Sequence, residues 1–233
     1  MRLSTPQPLG REPAPALAGP TSAQTLDELL RAAQPLPVVL SRLLGVWSAN
    51  PLMRSGENVC QALAREQIGC YKSLGDWHNL RQLDRPAILT LSSGRGGVQH
   101  ALLRELGAAE ALLDTAVGPL RLPLDQIDLL WTGEFLLLWR RESPESYIGA
   151  KSRPNSIVWL RQQLAEAEGR ALAPPVSAVW DAELREALER FQAAHGLGRV
   201  GHAGPRTLIA LSNLKAPTGT PTLAAAAPDV THP

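Results

Sequence analysis

ERFQAAHGLGRVGHAGPRTL, residues 189–208, decides how the C-terminal third of this 233-residue chain folds. Phe191 continues an apolar stripe that Leu184, Ala187 and Leu188 lay down at helical spacing. His195 then falls near the last turn. Gly196 can take the left-handed conformation that closes a helix, and Leu197 is placed to fold back as the apolar contact of that cap. Gly204 and Pro205 open the next helix, because proline suits a first helical position whose N–H has no partner anyway. Most of the regularity is therefore scaffolding. One corner exceeds it: the uncapped N–H groups of a helix start lie beside Arg199, His202 and Arg206, a setting that favours a carboxylate. Ordinary solvated surface residues are the alternative reading of the same corner.

Working outward, Ile157, Leu160 and Leu164 recur at helical spacing before this stretch, and Leu208 and Leu211 after it, which predicts a small three-helix domain over 155–214. The polar run SPESYIGAKSRPNS, with Pro144, Gly149 and Pro154, reads as connection, and 143–154 is assigned as linker. Upstream, over 25–142, the pattern is mixed. Val39, Leu40, Leu43, Leu44 and Trp47 share one helical face; CQALAREQIGC reads as a second short helix that Gly69 ends; WHNLRQL reads as a third. After Pro86 come short strand-like runs, AILTLS, VQHALLREL, AEALLD, PLRLPL and EFLLLWR, separated by glycine-containing turns. Helices followed by an antiparallel sheet make this an α+β domain.

Both ends are of a different kind. Residues 1–24 are crowded with Pro, Ala, Gly, Ser and Thr and read as a disordered tether, and 215–233 (KAPTGTPTLAAAAPDVTHP) reads as a disordered tail. With 23 Lys+Arg against 22 Asp+Glu and a formal charge of +1, no stretch is suited to track a phosphate backbone, so nucleic acid is not expected as a partner. No run of about 18 apolar residues spans a bilayer, and the first 30 residues lack the apolar core of a secretory signal. A proline-rich tether is also what remains when a protein is cut just after a membrane anchor. No cofactor or metal motif is recognised.

SAVWDAELREALERFQAAHGL and GHAGPRTLIAL together resemble the three-helix peptidoglycan-binding repeat of bacterial cell-wall hydrolases. Phe191, Gln192, Gly196, Leu197, Gly201, Gly204, Thr207 and Leu211 fall on its pattern. The first turn departs from it, with Ser177, Ala178, Trp180, Asp181 and Leu184 where the repeat has Asp, Gly, Phe, Gly and Thr, and Val200 stands for an Asp in the second turn. The resemblance implies a peptidoglycan-binding site, for which Trp180, Arg199, His202, Gly204, Arg206 and Thr207 are the candidates. Trp159 and Trp180 flank the turns and offer faces for sugar rings, although packing is the commoner use of such residues; Trp47, Trp131 and Trp139 lie on apolar faces and are expected in the core.

CQALAREQIGCYKSLGDWHNLRQLDRPAILTL, VQHALLREL and LPLDQIDLLWTGEFLLLWR resemble the periplasmic half of general secretion pathway protein A of the ExeA type, in which a papain-like (cysteine-peptidase-like) domain precedes the same repeat. The resemblance covers about 37–214. It implies a periplasmic location, binding to peptidoglycan, and help to the outer-membrane secretin of type II secretion through an inner-membrane partner of the GspB type, with homo-oligomerisation left open. Family members begin with a cytoplasmic ATPase and one membrane span. No GxxxxGK[ST] occurs here, and a tether at 1–24 fits a fragment cut just after the span.

Cys60 at a helix start, His100 inside a strand and Asp114 shortly after the next strand have the types and order of a papain-like site: a thiol acidified by the helix start, a base, and a carboxylate to hold the imidazole, although packing within the sheet for His100 and a turn for Asp114 are the plainer roles. Against this, the residues before Cys60 (RSGENV) contain no glutamine for an oxyanion hole, Asn58 being the nearest amide. Cys70 is also available as a partner in an oxidising compartment. A Cys60–Cys70 bridge is the economical reading, with free structural thiols and a nucleophilic Cys60 as alternatives. The expectation is a degenerate, non-catalytic domain; an active wall-targeted cysteine peptidase and an interaction module that has lost wall binding are the rivals.

Overall fold

In the computed structural model, which describes residues 28–92, 97–143 and 145–223, AILTLS forms a strand buried at every residue but its last. Successive strand side chains point to opposite faces, so such a strand needs cover on both. It is the third strand of a six-stranded antiparallel sheet built from β1 (Ile68–Leu74), β2 (Ala87–Ser92), β3 (Val98–Leu106), β4 (Glu110–Thr115), β5 (Gly118–Pro123) and β6 (Trp131–Arg140) in the spatial order β1-β6-β2-β3-β4-β5.

On one face, Val39 and Leu43 of α1 (Leu36–Val46), Trp47 and Leu63 of α2 (Val59–Arg65) pack on Ile68, Ile88, Leu102 and Leu138. The i, i+4, i+8 spacing of 39, 43 and 47 places all three on one helical stripe. On the other face Leu89, Leu103, Phe135 and Leu137 meet Trp77, Leu80 and Leu83 of α3 (Trp77–Leu83) in a core that continues without a break into the C-terminal helices. A short α4 (Leu124–Asp128) between β5 and β6 adds Ile127. The fold is thus mixed α+β with an antiparallel sheet, followed by a helical domain.

The structure corrects the second helix. Asn58 and Gln61 form a reciprocal capping box at its start, but it ends at Arg65 and Cys70 lies on β1, where pairing with β6 (Cys70 opposite Leu138) claims the chain. Gln67, at φ 58°, makes the turn. Gly69 serves a different need: a Cβ there would stand 2.6 Å from Nε1 of the buried Trp139.

Three helices form the C-terminal part: α5 (Pro154–Ala167), α6 (Ala182–Ala194) and α7 (Pro205–Asn213). Gly196 has φ 65° and Leu197 donates its N–H back to the Gln192 carbonyl at 2.7 Å, closing α6. Gln192 is fully buried. Its Nε2 donates to the His202 carbonyl (2.8 Å) and to Thr207 Oγ1 (3.1 Å), and its Oε1 accepts from the Val200 N–H (3.3 Å). The Phe-Gln and Gly-x-x-Gly-x-x-Thr spacing is the signature of this knot, by which one amide ties the 200–207 turn to α6.

Two regions read as loose are held in place. In 143–154, Ile148 is buried and exchanges two backbone hydrogen bonds with Ala203 (2.9 and 2.8 Å). Of the tail, residues 215–223 are ordered against the first domain: Leu223 is buried, its N–H donates to Asp84 Oδ1 (2.9 Å), and its carbonyl accepts from the Leu106 N–H (3.1 Å). A single apolar residue in a polar run anchored each segment, which composition averages away. The tether and 224–233 lie outside the described residues.

α7 packs against α3 and β6, and the turn Gln82–Arg85 wires the two parts together. Gln82 Nε2 donates to the carbonyls of His195 (3.1 Å) and Gly196 (3.2 Å). Asp84 holds Leu223, and the buried Arg85 donates to Asn213 Oδ1. No helix among the described residues is long and apolar enough to cross a membrane.

Candidate functional site

At the start of α7, His202, Gly204, Arg206 and Thr207 line a cleft of about 280 Å³, to which β1 contributes Tyr71. Leu197, Val200 and Pro205 make much of the remaining lining apolar. Gly204 caps the helix with extended backbone and contributes no side-chain bond, and Pro205 follows; the helix start therefore faces the hollow without a carboxylate of its own. Thr207 is buried and its hydroxyl is engaged by Gln192, so it shapes the floor. His202 stacks on Tyr147 with centroids 4.5 Å apart and bonds the Val200 carbonyl through Nδ1 (2.9 Å). Arg206 Nη2 donates to Gln82 Oε1 at 2.9 Å, while its Nε is buried without a partner. One cation, an uncapped helix start and apolar walls together suit a small anion-bearing group with an apolar body.

Two candidates fall elsewhere. Arg199 lines a separate hollow with Glu186, Glu189 and Arg190; two carboxylates beside it compete with any incoming anion. Trp180 is half-buried against the core, in a turn that Arg161 fastens by donating to the carbonyls of Ser177 (3.2 Å) and Val179 (2.8 Å) and to Asp181 (2.8 Å). The Arg161 hydrogen bond is the largest reason the Asp181 carboxyl is held below its usual range. Sequence reading missed Tyr71, Gln82 and Tyr147 around the cleft. No local pattern marks them: Gln82 stands 124 residues from Arg206.

The structure does not assemble Cys60, His100 and Asp114. Cys60, in the first turn of α2, is bonded to Cys70 on β1 (S–S 2.01 Å). In the sheet order, β1 stands three strands from the β3 that carries His100, about 14 Å at the usual spacing. The helix start beside His100 is instead that of α1: Gln34 and His100 exchange backbone hydrogen bonds (2.9 and 2.8 Å), and the residues that follow are Pro35, Leu36, Pro37 and Val38. None carries a nucleophile. Burial holds His100 below the usual histidine range, against a backbone bond from Gln34 and the Glu134 charge. Asp114 lies within β4, not in a turn, and its carboxylate accepts from Arg104 (2.7 Å).

A family model described as "Putative peptidoglycan binding domain" matches residues 153–211, the part that carries the cleft's helix start. General secretion pathway protein A of Aeromonas hydrophila is 28% identical over 196 residues, covering 83% of this chain and 35% of that protein. The "Putative general secretion pathway protein A" of Escherichia coli (strain K12) is 31% identical over 176 residues, covering 74% of this chain and 34% of that protein. The chain thus spans about a third of the length of these curated relatives. Among solved structures, a periplasmic domain of the EpsAB fusion protein of the Vibrio vulnificus type II secretion system matches with 24% identity and a TM-score of 0.48, covering 83% of this chain and 82% of that one. The N-terminal peptidase C39 like domain of the toxin secretion ATP-binding protein from Vibrio parahaemolyticus matches 45% of this chain and 92% of its own, with 20% identity and a TM-score of 0.31. At these scores neither likeness bears on function. Residues 153–211 are a peptidoglycan-binding-type domain, and over most of its length the chain is homologous to part of general secretion pathway protein A.

Proposed function

We propose that the chain is a non-catalytic, peptidoglycan-binding, periplasmic part of a type II secretion assembly protein, and that it helps the outer-membrane secretin assemble across the wall. Its partners on this reading are peptidoglycan and an inner-membrane protein of the GspB type, the rest of the protein being anchored in the inner membrane. The observation that carries wall binding is the cleft within the matched domain: Arg206 and an uncapped helix start face an apolar-walled hollow, and a peptidoglycan stem peptide is a short chain whose end is alanine, a small apolar residue bearing the terminal carboxylate. The absence of catalysis is supported by the sulfur of Cys60 being spent on Cys70 and by the apolar start of α1 beside His100.

Co-sedimentation with purified sacculi tests the reading. The chain pellets with them, and Arg206→Ala leaves it largely in the supernatant with an unchanged melting temperature. A parent chain that stays in solution replaces wall binding with a protein-interaction role. Rapid alkylation of Cys60 without reductant restores the peptidase as the better reading.

A further inference from the structure

From the geometry we infer that the wall-binding cleft is completed by the first domain, with Tyr71 as a ligand-contacting wall and Gln82 as the positioning residue that holds Arg206 for a carboxylate. This deepens, and rests on, the wall-binding reading.

Three observations carry it. The cleft is lined from both parts of the molecule: most of its lining comes from the α6–α7 turn and α7, and Tyr71, on the β1 strand of the sheet, is contributed by the first domain. Tyr71 is fixed by its own surroundings, half-buried with its ring edge-on to Phe135 at 6.0 Å, so the wall is a rigid aromatic surface. Gln82 couples the sides through both ends of one amide. Its nitrogen donates to the carbonyls of His195 and Gly196 at the end of α6, and its oxygen accepts from Arg206. This assigns the amide orientation, because only oxygen can accept from the guanidinium and only nitrogen can donate to the carbonyls. The fit is close, since a Cβ at Gly196 would stand 2.5 Å from the Gln82 nitrogen.

A neutral amide oxygen orients a guanidinium without neutralising it, so the positive charge stays available to a ligand. Glutamate at the same place would supply the counter-charge internally. At about 280 Å³ the cleft falls just below the roughly 300–1,000 Å³ of small-molecule sites. It admits the end of a peptide rather than a disaccharide. The occupant is therefore the carboxylate terminus of a stem peptide, its small apolar side chains against Tyr71, Val200 and Pro205.

The test uses the full chain, purified sacculi, and a soluble muropeptide in free-carboxylate and C-terminally amidated forms. The parent binds sacculi and prefers the free carboxylate. Gln82→Glu removes that preference, weakening the carboxylate form about tenfold while the amidated form binds as before; a merely structural role for Gln82 would weaken both alike. Tyr71→Ala weakens both forms, and Tyr71→Phe restores them. If Tyr71→Ala does not fold, the Gln82→Glu preference decides alone. If the parent binds and Gln82→Glu keeps the parent's preference, or folded Tyr71→Ala binds like the parent, the composite site is wrong and wall binding stands. A parent that binds neither sacculi nor muropeptide overturns both.

Discussion

The starts of α1 and α7 each lie beside a histidine, and their surroundings lead them to different ends. At α1, Gln34 and His100 are tied backbone to backbone, and the first turn, Leu-Pro-Val-Val, carries no polar side chain. At α7, His202 is stacked aside on Tyr147, Gly204 leaves the helix start uncapped, and Arg206 projects where the two parts of the molecule leave a hollow. A histidine next to a helix start is a common juxtaposition. It becomes a candidate site only where space, an available charge and a missing internal partner coincide.

The largest effect that would break this contrast concerns the Cys60–Cys70 bond, which keeps the cysteine at the α2–β1 edge. Replacing both cysteines by alanine should lower unfolding free energy by about 2–3 kcal/mol, the chain-entropy expectation for a bond between positions ten apart, measured by urea titration; sacculus binding should persist. If wall binding is lost together with stability, the two regions are coupled more tightly than their separate cores of contact indicate.

Next comes Arg206→Ala. Removing the charged donor should cost about 1.5–3 kcal/mol of muropeptide binding, about tenfold or more, with little change in melting temperature, read by calorimetric titration. An unchanged affinity would move the site away from α7.

A smaller effect separates the two regions by pH. His100 titrates below its ordinary 6.5 in the folded chain because burial disfavours the cation. The unfolded chain therefore takes up this proton first as pH falls. Its stabilising contribution is present above 6.5 and is lost as pH drops from there toward the folded value. Asp181 is also depressed, so its contribution is lost only below the ordinary aspartate value of 3.8. Melting temperature against pH should thus show a shallow loss on the mildly acid side that His100→Asn flattens, and an acid-side loss, shared with the depressed Glu134, Glu145 and Glu168, that Asp181→Asn reduces. If His100→Asn leaves the upper arm unchanged, burial of the imidazole contributes nothing to it.

The smallest effect is Arg199→Ala. With Glu186 and Glu189 beside it in a hollow of its own, its removal should change sacculus binding and stability within error. A loss comparable to Arg206→Ala would extend the site along α6.

Local pattern was enough for the helices of the C-terminal part, whose stripes at 157, 160, 164 and at 184, 187, 188, 191 are all buried, and for the strand runs after Pro86, because periodicity is a property of neighbouring residues. It was also enough for the corner at His202, Gly204 and Arg206, since a glycine cap followed by Gly-Pro locates a helix start. It misread Ile68–Cys70, where pairing with β6, about seventy residues on, overrode a helical pattern. It could not see that Thr207 is consumed by Gln192, that Arg199 and Arg206 open on different hollows, or that Tyr71 and Gln82 reach the cleft at all. Sequence by itself determined most of the helices, the strands after Pro86 and the caps of the C-terminal part. Only the tertiary structure decided which side chains share a cavity and which are already spent on one another, because spacing along the chain carries no record of contacts made across it.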